Sequence, residues 1–67
     1  MDRFVVEAER RVVGIAIRVP GAFRFVASDP DFYSMDRKIF RRARLLVSRV
    51  TELARALRAR RGERRFR

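Results

Sequence analysis

Few side chains in this sequence can support catalysis. The sequence contains no His and no Cys, which excludes a zinc ribbon, a thiol nucleophile, a Ser-His-Asp triad and a redox pair of cysteines. Carboxylates, arginines, Ser, Thr and the single Tyr33 remain. Because no spacing among these residues demands a reaction, we expect a protein that is not an enzyme and that holds no cofactor.

Three aspartates, Asp29, Asp31 and Asp36, lie close together and at first resemble a metal-binding loop. Pro30 lies between the first two, no Gly supplies the sharp turn, and no Glu closes a twelve-residue calcium loop. Asp followed by Pro is instead a typical helix start, since Asp caps a helix and Pro suits its first position. We therefore expect capping rather than a metal site, with a short helical turn over residues 32–35.

Phe32 and Tyr33 are adjacent aromatic residues directly after this cap. Aromatic side chains can stack on unpaired bases, as they do in proteins that bind single strands. Adjacent aromatics after a cap more often anchor a connecting segment in the core. The sequence favours the second interpretation.

Basic residues dominate the sequence and are unevenly distributed. The 67 residues include 18 Lys and Arg against 8 Asp and Glu, for a net charge of +10. Residues 1–36 hold five basic and six acidic residues, whereas residues 37–67 hold thirteen basic and two acidic residues. The preference for Arg over Lys fits bidentate phosphate contacts or a GC-rich genome. The segregation of charge predicts that the C-terminal half binds a polyanion.

An apolar periodicity in the C-terminal half predicts one long helix over residues 37–60. The apolar residues recur at alternating spacings of four and three, which places them on one face of a helix. This predicted stripe consists of Ile39, Ala43, Leu46, Val50, Leu53 and Leu57.

The opposite side of the predicted helix is rich in arginine. Like charges one turn apart destabilise a helix, so a partner that offsets their repulsion is favoured over a solvated face with a solubilising tail. Bound phosphates would do so and would release counterions. The candidate phosphate contacts are Arg41, Arg44, Arg55 and Arg58 on the helix face, and Arg60, Arg61, Arg64 and Arg65 on a flexible arm that includes the basic tail over residues 61–67. We expect this tail to be disordered and to order on binding.

The N-terminal half contains three short runs rich in β-branched and aromatic residues, over residues 4–9, 12–19 and 23–27. A turn at Arg10-Arg11 and a three-residue loop at 20–22 would place most large apolar residues on one face. On that register, replacing Ile15 by Ala should cost roughly 2–5 kcal/mol. The predicted core face is Phe4, Val6, Ala8, Val13, Ile15, Ile17, Val19, Phe23, Phe25 and Ala27.

The predicted fold is α+β: a three-stranded antiparallel meander packed on one long C-terminal helix, in a single domain over residues 1–60. A helix of that length measures about 36 Å, whereas strands of this length reach about 20–23 Å. Leu53 and Leu57 would then lack a partner within the chain. We predict a homodimer in which they pack across a two-fold axis; the alternative is a helix that frays after Ala56.

The outer face of the meander is a second candidate surface. The predicted register places Arg3, Arg18 and Arg24 side by side, where arginines could reach base edges in a major groove. Arg18 and Arg24 are therefore candidates of second rank. Alternatively, the arginines keep the sheet soluble, or exposed valines form a protein interface; these valines are Val5, Val12 and Val26.

The sequence predicts neither a membrane span nor a secretory signal. The longest apolar run covers residues 12–17, far below the roughly 20 residues that span a bilayer. The chain opens Met1-Asp2-Arg3-Phe4 without an apolar signal region. We expect a cytoplasmic location, and the basic tail alone would be a weak membrane ligand.

These patterns together predict a small nucleic-acid-binding protein that contacts phosphates, with DNA favoured over RNA. The alternative is a protein-protein interaction module, such as an adaptor, an inhibitor or an antitoxin-like partner, that docks an acidic protein. A less favoured alternative is a small RNase-like toxin that uses arginine and Tyr33. The sequence has no internal repeat, no Gly-rich phosphate loop and no family signature.

Overall fold

The protein folds as a four-stranded antiparallel sheet with one long helix, which confirms the α+β class. The computed structural model describes the backbone of residues 2–65 and the side chains of residues 2–62. The strands follow chain order across the sheet. The elements are β1 (Arg3–Ala8), β2 (Arg11–Val19), β3 (Ala22–Ala27), a 3₁₀ helix (Pro30–Met35), β4 (Ile39–Phe40) and α1 (Ala43–Arg65).

The first hairpin turns at Glu9-Arg10, one residue earlier than predicted. Ala8 pairs with Arg11, and the two turn residues have φ values of 53° and 63°. Two-residue turns of this kind match the twist of the strands, but they require left-handed backbone at both central positions. Neither residue is Gly or Asn, so the turn carries backbone strain.

A bulge in β2 follows directly after this turn. Glu7 pairs with Val12 and Val6 pairs with Gly14, so Val13 is the extra residue on β2. The bulge lets Val13 and Gly14, which are neighbours in sequence, both be buried.

The second hairpin also differs from the prediction. Val19 pairs with Ala22, so the turn has two residues, Pro20 and Gly21, rather than three. Gly21 has a φ of 71°, and Pro followed by Gly is the preferred pair for a turn with this backbone. Arg18 therefore pairs with Phe23.

The combined registers place Ile15, Ile17 and Val19 on the opposite face from the one predicted, whereas Val13, at the bulge, is buried as predicted. Ala16 is fully buried beside Phe25, whereas Ile15, Ile17 and Val19 are only partly buried and lie on the outer face. The predicted burial of Ile15 is therefore wrong. A one-residue shift in register inverts every side chain of a strand, and two turns and a bulge set the register here.

The predicted start of the long helix at residue 37 is also wrong, because residues 37–40 extend the sheet. Arg37 has a φ of 68°, which a helix cannot contain. Ile39 and Phe40 pair with Arg24 and Phe23, and Phe25 donates its N–H to the Lys38 carbonyl at 2.9 Å. The segment thereby satisfies backbone groups of β3 that would otherwise form an open edge.

The short helical turn before β4 forms as predicted. The Asp29 side chain caps the 3₁₀ helix by accepting the Asp31 N–H at 2.9 Å, with Pro30 in its first turn. Phe32 is buried, in agreement with the favoured anchoring role, whereas Tyr33 is 59% exposed, so the anchoring prediction is wrong for Tyr33. Asp36 does not cap α1, because its Oδ1 accepts the Ala27 N–H at 2.8 Å.

The core lies between the inner face of the sheet, the 3₁₀ helix and α1. Leu53 and Leu57 are partly buried against this core, so the premise of the predicted dimer contact, that they lack a partner within the chain, is wrong. α1 also continues to Arg65, five residues beyond its predicted end and into the predicted tail. Residues 66 and 67 lie outside the described residues. The buried core residues are Val6, Val13, Ala16, Phe25, Phe32, Met35, Leu46, Val50 and Ala54.

We predict opposite effects from two glycine-to-alanine substitutions. A Cβ at Gly14 would meet the Val26 carbonyl oxygen and, at 2.7 Å, the Phe25 ring, so Gly14→Ala should destabilise the fold by about 1–3 kcal/mol. At Gly62, in α1, no atom of the described residues lies within 4 Å of the added carbon apart from the adjoining helix backbone and chain neighbours, so Gly62→Ala should stabilise the fold by about 0.5–1 kcal/mol. Urea unfolding measures both values. Equal midpoints for the two variants would contradict the close packing at Gly14.

Candidate nucleic-acid interface

The exposed side of α1 is set by the face that the helix buries. Leu46, Val50 and Ala54 are buried against the sheet, and their spacings of four keep them on one stripe. Arg44 and Arg55 are exposed, and their separation of eleven positions makes about three turns, so they share the outward face. The C-terminal half of α1 passes the β1–β2 turn, where Arg58 lies 3.9 Å from Glu9.

Four arginines line one open cleft between this turn and α1. Arg10 belongs to the β1–β2 turn and Arg11 is the first residue of β2, whereas Arg58 and Arg61 come from α1. Glu9 completes the lining, and the cleft measures about 420 Å³. We call this feature the arginine cleft. Its charge and size suit a phosphate group with part of an attached sugar.

Carboxylates hold the arginines of the cleft in place. Arg11 Nε lies 3.1 Å from Asp29 Oδ2, and Arg11 Nη2 lies 3.1 Å from Asp31 Oδ2. Arg61 Nη2 donates to the same Asp31 oxygen. The interactions join the hairpin, the 3₁₀ helix and α1. Because the partners are partly exposed, they orient side chains more than they stabilise the fold.

Asp31 is the carboxylate on which two of these arginines converge. The hydrogen bond from Arg11, together with that from Arg61, lowers the pKa of Asp31 below its ordinary value of 3.8. Asp31 is therefore ionised at neutral pH and keeps two guanidinium groups close together. Guanidinium groups arranged around a carboxylate oxygen present donors that also match a phosphate oxygen.

The structure places the predicted helix arginines in three settings. Arg41 precedes α1 and is exposed, as are Arg44 and Arg55 on its outward face and Arg60 near its end. Arg58 and Arg61 turn toward the hairpin and line the cleft. The backbone of Arg64 and Arg65 belongs to α1, and their side chains lie outside the described part of the chain.

The outward face of α1 is less uniformly basic than predicted. A shallow groove beside Arg55 is lined by Val47, Ser48, Thr51 and Glu52. Leu45 is also 49% exposed. The cations of α1 therefore concentrate toward its C-terminal half rather than forming one continuous row.

The two sheet arginines of second rank do not lie together. Arg24 is on the outer face, where it pairs across the ladder with Ile17. Arg18 lies one position further along β2, so its side chain points to the opposite face. The predicted row of Arg3, Arg18 and Arg24 is therefore wrong, and Ile17 occupies its central position.

Sequence reasoning missed Arg10 and Arg11 as site residues. The sequence pattern predicts a turn at these two residues, whereas the structure has the turn one residue earlier, at Glu9-Arg10. Two consecutive arginines at a hairpin turn were the available signal, because a turn projects side chains beyond the sheet. Their meeting with Arg58 and Arg61 depends on the path of α1, which the local pattern does not give.

Within residues 2–62, no group of three or more carboxylates is arranged to hold a metal ion. In the same part of the chain, no helix has an apolar stretch long enough to cross a membrane. No family model, curated protein or solved structure matches this chain.

We predict that Asp31 makes stability depend on pH in the acid range. A carboxylate whose pKa is lower in the folded state stabilises the fold at higher pH, and this stability is lost as pH falls through the folded pKa, below 3.8. Asp31→Asn should lower the urea midpoint at neutral pH. The gap between the variant and the original protein should close as the pH is lowered below about 4. A gap that is constant across this range would contradict the role of Asp31.

Proposed function

We propose that the protein binds DNA through its phosphates, with the arginine cleft as the principal contact. The observation that carries this proposal is the convergence of Arg10, Arg11, Arg58 and Arg61 on one open cleft. Arginine forks suit the geometry of phosphate oxygens, and contacts to phosphates position a protein on a duplex without reading its sequence. The proposal concerns binding, not catalysis.

Neighbouring exposed arginines extend this contact along α1. Arg55 is one turn before Arg58, and Arg60 follows it, so cations flank the cleft on the helix. Phosphates along one DNA strand recur every few ångströms, so a helix that carries cations over several turns can meet more than one of them. Arg64 and Arg65 continue the basic sequence beyond Arg61.

The carboxylates of the cleft act as internal competitors for the phosphate. Asp31 and Glu9 lie within ion-pair distance of Arg61 and Arg58, so an incoming phosphate exchanges one anionic partner for another. This exchange lowers the affinity for DNA. Before DNA binds, however, the carboxylates hold the arginine side chains in place. Pre-arranged side chains lose less conformational entropy when the ligand arrives.

The second candidate is docking of an acidic protein on the same basic surface. It is favoured by the exposed Val47 on α1, which is 42% accessible, lies on the same flank of the helix as Arg58 and would suit an apolar contact better than a phosphate. The two functions differ in their dependence on salt. A duplex releases condensed counterions on binding, whereas a compact acidic protein carries no such condensed layer.

The deciding experiment is fluorescence anisotropy with a random duplex of about 20 base pairs at several salt concentrations. We expect a linear fall of log affinity with log salt, with a slope that corresponds to about four or more phosphates. Polyglutamate of similar length serves as the acidic-protein competitor. Absent or salt-independent duplex binding, or equal binding of polyglutamate, would contradict the proposal.

We predict that Arg58→Ala weakens duplex binding, whereas Arg49→Ala changes it much less. Both variants remove one arginine from α1, but nine residues make about two and a half turns, so the two side chains lie on opposite flanks. Arg58 lines the cleft, whereas Arg49 lies near Lys38 and Glu52. Arg58→Ala should reduce the salt slope by about 0.9. Equal losses would show that net charge, not the cleft, governs binding.

We also predict that Asp31→Asn tightens duplex binding, because it removes the internal competitor of Arg11 and Arg61. Asp2→Asn is the matched control, since it removes the same charge at the end of β1 that is far from the cleft. There the Asp2 carbonyl accepts the Arg18 N–H at 2.7 Å. Anisotropy at one low salt concentration compares them. The cleft assignment fails if Asp2→Asn raises affinity as much as Asp31→Asn.

A further inference from the structure

The outer face of the sheet carries apolar side chains that no element of the described chain covers. α1 and the 3₁₀ helix pack on the inner face, where the buried residues lie. On the outer face, Val5 and Ile39 are each 56% exposed, and Val12 is 51% exposed. Scattered apolar residues are normal on a surface, but a contiguous patch on one sheet face indicates an interface.

The strand register arranges this face in rows that cross the strands. The central row is entirely apolar: Val5 pairs with Ile15, which pairs with Val26. Directly paired side chains lie about 4.5–5.5 Å apart, so the three form a continuous strip. The strip crosses the middle of β1, β2 and β3.

Charged residues of opposite sign lie on either side of this central row. At one end, Ile17 pairs with both Arg3 and Arg24. At the other end, Glu7 pairs with Val12. Arg3 and Glu7 are each two residues from Val5 on β1, so all three share one face. Within residues 2–62, none of Arg3, Arg24 and Glu7 forms an ion pair in the chain.

We propose that this face binds a second copy of the same chain, sheet against sheet. The two-fold axis lies between the two sheets, parallel to the central row and perpendicular to the strands. The strands of the second copy therefore run opposite to those of the first. Arg3 of each copy then faces Glu7 of the other, and the two apolar strips lie against each other. Because a two-fold interface forms every contact twice, Arg3 and Glu7 of the two copies form two equivalent ion pairs.

The pattern of charge distinguishes this occupant from DNA. A phosphate backbone would lie against an apolar strip and against Glu7, and both contacts are unfavourable. A second copy satisfies both features at once. Aligned sheets pack with strand directions within about 30° of each other, which keeps Arg3 within reach of the carboxylate opposite it.

The size of the face indicates a reversible dimer. β1, β2 and β3 at about 4.8 Å spacing, each with about six residues at about 3.4 Å, together with the two residues of β4, give a footprint of about 330 Å² per copy, which is the size of a weak, transient interface. We therefore expect association in the micromolar range. The arginine cleft lies at α1, on the inner side of the sheet, and stays open in such a dimer.

Sedimentation velocity at several protein concentrations tests the interface. The original protein should shift from monomer toward dimer as its concentration rises to about 100 µM. Val5→Asp should weaken the association by at least about tenfold, because it buries a carboxylate in the apolar strip. Val47→Asp places the same substitution on α1, away from this face, and should leave the dimer unchanged. Circular dichroism verifies that both variants are folded.

Charge exchange provides the sharper test. Arg3→Glu and Glu7→Arg should each prevent dimer formation, because like charges then face each other. An equimolar mixture of the two variants should form a heterodimer, since every charge again meets its opposite, and the double variant should form a homodimer. A protein that stays monomeric at every concentration would overturn the proposal, as would a dimer that Val5→Asp leaves intact or single variants that the mixture does not rescue.

Discussion

The fold depends on the close packing of the Phe25 ring over Gly14. The ring occupies the space that a β-carbon at position 14 would need, and Ala16 is fully buried in the neighbouring pair. Because the inner face of β2 must be shallow beside Phe25, the isoleucines of β2 point outward. The same constraint that makes room for Phe25 under α1 therefore places Ile15 and Ile17 on the exposed face. The core and the proposed dimer surface are two consequences of one packing arrangement.

The sequence predicted the inner faces of β1 and β3 correctly, because Arg3 and Glu7 on β1 and Arg24 on β3 mark the outer face. Phe4 and Val6 on β1, and Phe23 and Phe25 on β3, lie on the inner face as expected. Residues 12–19 of β2 are apolar at nearly every position, so their pattern does not say which face is buried. The register of β2 therefore depends on where the turns lie. Neither Arg-Arg nor Glu-Arg contains a Gly or Asn, the residues that usually indicate left-handed backbone in a hairpin turn. The one available signal of the bulge at Val13 was Gly14 beside it, since a Gly inside a strand often marks a bulge or a close approach.

The helix and the site show the same division between local and long-range information. The periodicity identified Leu46 and Val50 as buried residues, because that signal repeats over several turns. It did not identify the start of α1, since Ile39 fits the helical stripe as well as a strand position. The arginine cleft joins Arg11 to Asp31 and Arg61, residues far apart in the chain. Such a cluster forms only when α1 is docked, so local patterns cannot predict it.

The two proposed contacts lie on opposite sides of the sheet. On one side, carboxylates hold the arginines of the cleft, which favours a modest, salt-dependent affinity for a polyanion. On the other side, association of two copies would use the apolar strip and leave the cleft free. Two weak phosphate contacts joined in one dimer can give an avidity well above that of either alone. The proposed dimer would thereby raise the affinity for DNA of a cleft whose carboxylates compete with the phosphate.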